Sequence, residues 1–217
     1  MERPVTAQGN PLNNTDIYET LFIFINDMLY NYKTSAKEKG ENKITQDIEM
    51  DLREKARNND TFFDFQNQHG QGNATTDIGV YLRHGKYFFC WVEAKRLPVP
   101  KAKNRDEREY VFVSQEKING KKKFKGNGGI QRFKENEHAD KLPFSIMIGY
   151  IQDGNSAGYW LKKINEWITE LVNANTELWH GEDCLYKYDS NKCDRFLSSH
   201  ERKDETTIIL HHYWIKL

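Results

Sequence analysis

Asp77, Glu93 and Lys95 are the residues whose types and spacing point most directly to chemistry. Glu93 and Lys95 stand two apart, so on a β-strand both side chains project from one face. The residues before them, Phe88-Phe89-Cys90-Trp91-Val92, are apolar and read as a core strand. Charges at the end of such a strand need a reason, because burying one without a partner costs several kcal/mol, roughly. Divalent-metal chemistry supplies one: Mg²⁺ takes hard oxygen ligands, usually one or two carboxylates completed by water and substrate phosphate. Acid-x-lysine alone is a weak signal, since it occurs three times, at Glu41, Glu93 and Glu201. Only Glu93 follows an apolar run, and only Glu93 has an acid-bearing strand, that of Asp77, just before it. The competing reading of the three residues is a structural ion pair at a strand end.

The elements that must position them follow from periodicity. Asp16 with Glu19 resembles a capping box, and Ile17, Leu21, Phe24, Ile25, Met28, Leu29 and Tyr32 follow helical spacing. A second helix is expected from about Ile44 to Asn58, with Ile44, Ile48, Leu52 and Ala56 as its stripe and Glu49 at the stripe's flank. Strands are expected over Thr61–Gln66, Thr76–Leu82 and Tyr87–Leu97, the last two joined by a hairpin turn at residues 83–86. Pro98 and Pro100 end that run. A basic excursion over 98–128 contains one further strand candidate, Tyr110–Val113. Gly126–Gly129 then leads into a helix expected over Ile130–Ala139. Phe144–Ile151 reads as a buried strand, Tyr159–Val172 as an amphipathic helix with Trp160 and Trp167 packed in the core, and Thr206–Leu217 as a closing strand. Residues 173–205 carry no clear assignment. This order predicts one α/β (α+β) domain over 1–217: a core of about 44–151, the insertion and an extension over 152–217, with a central mixed sheet flanked by helices.

Composition narrows the class. With 217 residues, 37% of them hydrophobic, the chain is long enough for one domain with a proper core. No apolar run approaches the roughly 20 residues of a membrane span, and acids flank Phe22–Ile25, which argues against a signal peptide. Three cysteines are too few for a disulfide framework, so a reduced, cytoplasmic protein is expected. Net charge is zero, yet Lys95–Lys134 holds 13 Lys and Arg against 4 acids. Such a segment directly after the acid-lysine strand suits a polyanion or, equally, a solvated lysine-rich loop. Lys121, Lys122, Lys123 and Lys125, with Arg132 and Lys134, are the candidate nucleic-acid contacts. His138, two turns past Gln131, reads as a surface histidine within reach of the site. His180, Cys184, Cys193 and His200 match no standard zinc spacing. For His211-His212, alternation predicts one exposed and one buried.

In order and placement, these residues resemble the PD-(D/E)xK nuclease superfamily, the restriction-endonuclease-like proteins, over roughly Ile44 to Ile151. Asp77 matches the first acid of the motif and Glu93-Ala94-Lys95 the (D/E)xK. Glu49 matches an acid many members carry on the preceding helix, and Gln131 a polar residue on the following one. Thr76 stands where the motif's proline would be. The resemblance implies a Mg²⁺- or Mn²⁺-dependent enzyme that hydrolyses phosphodiester bonds, most often in DNA, as a homodimer or with a partner protein for specificity. Asp77, Glu93, Glu49 and the Ala94 carbonyl would be metal ligands, Lys95 would orient the attacking water, and Gln131 would contact the substrate backbone or Lys95. A non-cleaving nucleic-acid-binding relative and an RNA-directed nuclease are the alternatives.

Overall fold

The computed structural model describes residues 14–32, 40–67, 70–71, 74–75, 77–83, 87–98, 106–113, 116–118, 121–123, 128–174, 177–188 and 192–217. Helices α1 (Asn14–Asn31) and α2 (Glu41–Asn58) lead into strand β1 (Phe63–Asn67), a small pair β2 (Gly70–Gln71) and β3 (Ala74–Thr75), then β4 (Ile78–Leu82) and β5 (Tyr87–Leu97). A second small pair, β6 (Glu116–Ile118) and β7 (Lys121–Lys123), precedes the short helix α3 (Gly129–Lys134). Strand β8 (Phe144–Ile151), helix α4 (Ala157–Asn173), a 3₁₀ turn (Gly181–Asp183) and strands β9 (Tyr186–Tyr188), β10 (Asp194–Glu201) and β11 (Thr207–Lys216) complete the chain.

Seven strands form one mixed sheet in the order β1-β4-β5-β8-β11-β10-β9. The central strands β5, β8 and β11 run parallel, and antiparallel pairs flank them on both sides. Helices cover both faces, which is the α/β class the sequence predicts and is consistent with a restriction-endonuclease-like arrangement. The stripes of α1 and α2 pack with Cys90, Val92 and Ala94 of β5 on one face. Trp91 and Leu97 of the same strand pack with α3 and α4 on the other, and Trp160 and Trp167 are buried there as expected. The stripe of α1 is consumed in this way, leaving Ile23 and Tyr30 as its exposed large apolar residues. Double coverage also explains why β8 is apolar but for Ser145, which donates to the Trp91 carbonyl, with all eight residues buried.

Four sequence expectations change. Residues 152–217 are no appendage, because β11 lies beside β8 within the sheet and the unassigned stretch supplies β9 and β10. His211 and His212 are both buried, since the strand that carries them is covered on both faces. The helix expected to reach Ala139 stops at Lys134, and Asn136, Ala139 and Lys141 all adopt positive φ, which turns the chain back. Tyr110–Val113 is not a strand. The segment turns so that the carbonyls of Glu109, Tyr110 and Val111 accept from the N–H groups of Gly129, Ile130 and Gln131. The first amides of α3, which a helix cannot satisfy internally, are thereby paired.

A buried polar chain ties these parts together. Lys134 Nζ donates to Asp183 Oδ1 at 2.6 Å, and His200 Nδ1 lies 2.7 Å from the same oxygen. Ser198 Oγ sits 2.6 Å from His200 Nε2 and 2.7 Å from His212 Nε2. His212 Nδ1 meets the Tyr110 hydroxyl at 2.8 Å, which accepts from Trp214 Nε1 at 2.8 Å. Gly149 leaves room for that indole, since a Cβ there would stand 2.8 Å from Trp214 Nε1. Gly149→Ala is therefore expected to push Trp214 off Tyr110 and destabilise the protein by about 1–3 kcal/mol, the usual range for overpacking, as measured by urea denaturation.

Candidate active site

Strand β4 ends at Ile78, opposite Val92, while β5 runs on to Leu97. Among the described residues no strand lies beside the outer edge of β5 past Val92, and two carboxylates take the strand's place. The N–H of Ala94 donates to Asp77 Oδ2 at 2.7 Å, and the N–H of Arg96 donates to Glu41 Oε2 at 3.1 Å. A strand residue sends its N–H and C=O to the same edge, so the Ala94 carbonyl also faces this gap. Asp77 stands at the entry to β4 and Glu41 at the first turn of α2, so the ends of two elements meet the end of a third.

Glu93 and Lys95 lie on the α3 side of the sheet, with only a few per cent of their surface exposed. Lys95 Nζ donates to Glu93 Oε1 at 2.7 Å. The Arg132 guanidinium of α3 comes within 3.6 Å of the same oxygen, and His138 Nδ1 within 3.6 Å of Glu93 Oε2. Burial opposes the Glu93 charge, but Lys95, with Arg132 behind it, outweighs burial and holds the carboxyl below its ordinary range. Burial likewise opposes the Lys95 charge, and Glu93, Glu41 and Asp77 together outweigh it, so the ammonium is kept protonated. His138 goes the other way: burial pushes it down to about 4, leaving a neutral imidazole at pH 7.

Asp77 is pushed up to about 7, first by burial and then by the Glu93 charge, with Lys95 and the Ala94 N–H pulling against them. The native state thus holds this proton more tightly than the unfolded chain, whose aspartates titrate near 4, roughly. Stability from the protonated acid is present below that value and is lost as the pH rises to 7. Asparagine keeps an acceptor for the Ala94 N–H and removes the charge. Asp77→Asn is therefore expected to be more stable than wild type at pH 8 in EDTA, by at least about 1 kcal/mol. The two should converge near pH 4; parallel curves of melting temperature against pH would contradict this.

The structure brings Asp77, Glu93, Ala94 and Lys95 together but leaves other predicted residues elsewhere. Glu49 is two turns along α2 from the site, buried and paired with Arg53, and the acid α2 gives to the site is Glu41. Eight residues of helix displace Glu49 by about 12 Å along the axis. Gln131 donates to Glu135 Oε1 at 3.0 Å and lines a separate cavity of about 690 Å³ with Trp179 and Glu201. Its neighbour Arg132, read as a nucleic-acid contact, is the α3 residue that faces Glu93. Lys134, also read as a contact, is fully buried against Asp183 beneath the Trp179 ring, where no nucleic acid can reach it. Lys121–Lys123 form β7, paired with β6; their side chains, and Lys125 altogether, lie outside the described residues. His138 is buried against Trp91 and Phe133 rather than on the surface. The sequence signal for Glu41 is its own acid-x-lysine tripeptide, which follows no apolar run.

Ser198, His200 and Asp183 follow the hydrogen-bond order of a nucleophile relay. Ser198 is fully buried and also holds His212, so the three act as core polar groups.

Among the described residues no three His, Cys, Asp or Glu side chains converge closely enough to cage a metal on their own. Mg²⁺ does not require that, because one or two carboxylates with waters suffice. Two clustered carboxylates, one driven up to about 7 first by burial and then by the other's charge, with the Ala94 carbonyl at the same strand edge, form a hard-oxygen donor set that suits such an ion. Among the described residues no helix is long and apolar enough to cross a membrane. No family model, curated protein or solved structure matches the chain.

Proposed function

We propose that the protein is a metal-dependent nuclease that hydrolyses phosphodiester bonds, with DNA as its substrate and a PD-(D/E)xK-like site at the end of β5. The observation that carries this reading is the meeting of Asp77, Glu93 and Lys95 at the end of β5, with Asp77 raised to about 7. A structural ion pair alone would need only Glu93 and Lys95, and it gives no reason to place a second acid where the first repels it.

Asp77, Glu93 and the Ala94 carbonyl would hold a divalent cation, with Glu41 in reach on α2. When bound, such a cation stabilises charge on the phosphate and lowers the pKa of its water. The remaining roles belong to the chain itself. Lys95 gives one of its three donors to Glu93 and keeps two for a substrate oxygen or the attacking water. Its ammonium, held charged by the surrounding acids, meets the negative charge that develops on the phosphate. Arg132, part-exposed behind Glu93, can take a non-bridging phosphate oxygen. The basic segment over 98–128 would follow the polyanion, and a second subunit or a partner protein would supply the second cut and the specificity. Three free cysteines suit a cytoplasmic location.

The test is incubation with circular plasmid, linear duplex, single-stranded DNA and RNA in EDTA, Mg²⁺ and Mn²⁺. Metal-dependent cutting that Asp77→Asn abolishes establishes the reading, and cutting of RNA alone shifts it to the RNA-directed alternative. Tight binding with no cutting in either metal favours the non-cleaving relative. Neither binding nor cutting leaves the charged cluster as a structural ion-pair network.

A further inference from the structure

We infer that the cavity of about 690 Å³ beside α3 binds a nucleobase carrying an exocyclic amine, at a site apart from Glu93 and independent of any metal there.

Two buried polar groups on the cavity wall lack partners among the described residues, and they are of opposite kind. Gln131 lines the cavity and is 5% exposed. Its Nε2 donates to Glu135 Oε1 at 3.0 Å, and a carboxylate there can only accept, which fixes the orientation of the amide. The amide oxygen, Oε1, is left without a donor. Arg202 lines the same cavity and is 4% exposed. Its Nη2 donates to the carbonyls of Ala139 and Leu142, both at 2.8 Å, and its Nη1 to Thr206 Oγ1 at 3.4 Å. Its Nε is left without an acceptor. Buried polar atoms are nearly always paired, so an orphan acceptor and an orphan donor on one wall call for a ligand that supplies both.

Phe112, Leu171 and Trp179 give the cavity an apolar side. Its volume falls within the roughly 300–1,000 Å³ of small-molecule sites, where apolar walls hold the body of a ligand and a few polar groups orient it. An amine beside a ring-nitrogen acceptor, as adenine and cytosine present, matches the two orphans: the amine donates to Gln131 and the ring nitrogen accepts from Arg202. Four glutamates, Glu135, Glu177, Glu201 and Glu205, stand around the cavity against Arg202 and Lys203. That balance favours a neutral, donor-bearing base and disfavours a phosphate. Along α3, Gln131 serves this cavity while its neighbour Arg132 faces Glu93, so a base held here lies close to the proposed phosphodiester site.

Calorimetric titration of wild type in EDTA tests this with two pairs that differ at the exocyclic amine: adenosine against purine riboside, and cytidine against uridine. In at least one pair the amine-bearing member should bind about tenfold or more tightly, because a site built around a hydrogen bond rejects the analogue lacking it. Gln131→Leu should remove that preference. The comparison within wild type stands even if the variant fails to fold. A short single-stranded oligodeoxynucleotide of the preferred base separates the sources. Tighter binding than the nucleoside means that the base arrives on a strand, and weaker binding means a free nucleoside; either supports the site. No nucleoside binding, equal binding within both pairs, or uptake of agmatine in place of nucleosides overturns it. Any of these leaves the nuclease reading standing, since cutting in Mg²⁺ or Mn²⁺ is measured separately. Nucleoside binding by a protein that cuts nothing keeps the cavity site and removes the nuclease.

Discussion

Asp183→Ala is expected to lower the unfolding free energy by about 3–5 kcal/mol, the range for breaking a buried ion pair from one side. Asp183 Oδ1 receives both Lys134 Nζ and His200 Nδ1, and Oδ2 receives the His180 N–H at 2.7 Å. Removing the carboxylate leaves the Lys134 ammonium fully buried without its ion-pair partner, with only the weaker pull of Glu201 remaining. Burial already pulls Lys134 below its ordinary value, even with Asp183 in place. The damage should spread, because the hydrogens of this chain can run in only one direction. Trp214 can only donate, so Tyr110 accepts from it and donates to His212 Nδ1. Burial keeps His212 and His200 neutral. The remaining His212 proton then goes to Ser198, Ser198 donates to His200 Nε2, and His200 donates to Asp183. With the last acceptor gone, every donor upstream loses its reason to point as it does. Equilibrium denaturation measures the loss directly. A second substitution, Lys134→Met on the Asp183→Ala background, should recover much of it by removing the stranded charge. A single-variant loss below about 1 kcal/mol would mean the ion pair is not closed in solution.

Lys95→Met is expected to reduce cleavage by about 10²–10³-fold, the usual effect of removing one preorganised group that meets developing charge. Under the proposed function this substitution reads on chemistry rather than on metal binding, because Lys95 is not a metal ligand. Metal affinity should hold to within a few-fold in calorimetric titration while the single-turnover rate collapses, which separates loss of catalysis from loss of the cation. Methionine keeps the length of the side chain, and Arg132 stays within 3.6 Å of Glu93 to carry part of its charge. The assay belongs at a temperature where the variant is shown to be folded, since Glu93 loses its closest partner. Unchanged turnover in Lys95→Met would remove Lys95 from the mechanism and return the Glu93–Lys95 contact to a structural role.

Much of this was legible in the chain, for reasons of chemistry and period. The acid and lysine two apart on an apolar run place Glu93 and Lys95 on one face of a core strand, and the preceding strand brings Asp77 beside them. Helical spacing locates the buried stripes of α1, α2 and α4, because a 3.6-residue repeat must hide one side. The strongly apolar run of β8 announces a strand covered on both faces. Those are local properties, written in neighbouring residues.

Only tertiary packing decided the rest. Whether Glu41 or Glu49 serves the site depends on where along its axis α2 crosses the end of β5, a distance of two turns that no stripe encodes. Gln131 and Arg132 are adjacent in sequence, yet a short helix capped by the 109–111 carbonyls aims one at a separate cavity and the other at Glu93. Lys134 looks like a surface cation until β10 and the 3₁₀ turn bring Asp183 and His200 over it, from 49 and 66 positions further along the chain. A helix continued to Ala139 would leave His138 on the surface; three residues with positive φ turn the chain and bury it instead. In each case the deciding partner is remote in sequence, and burial by remote partners fixes which charges are paired, which are neutral and which are left to do chemistry.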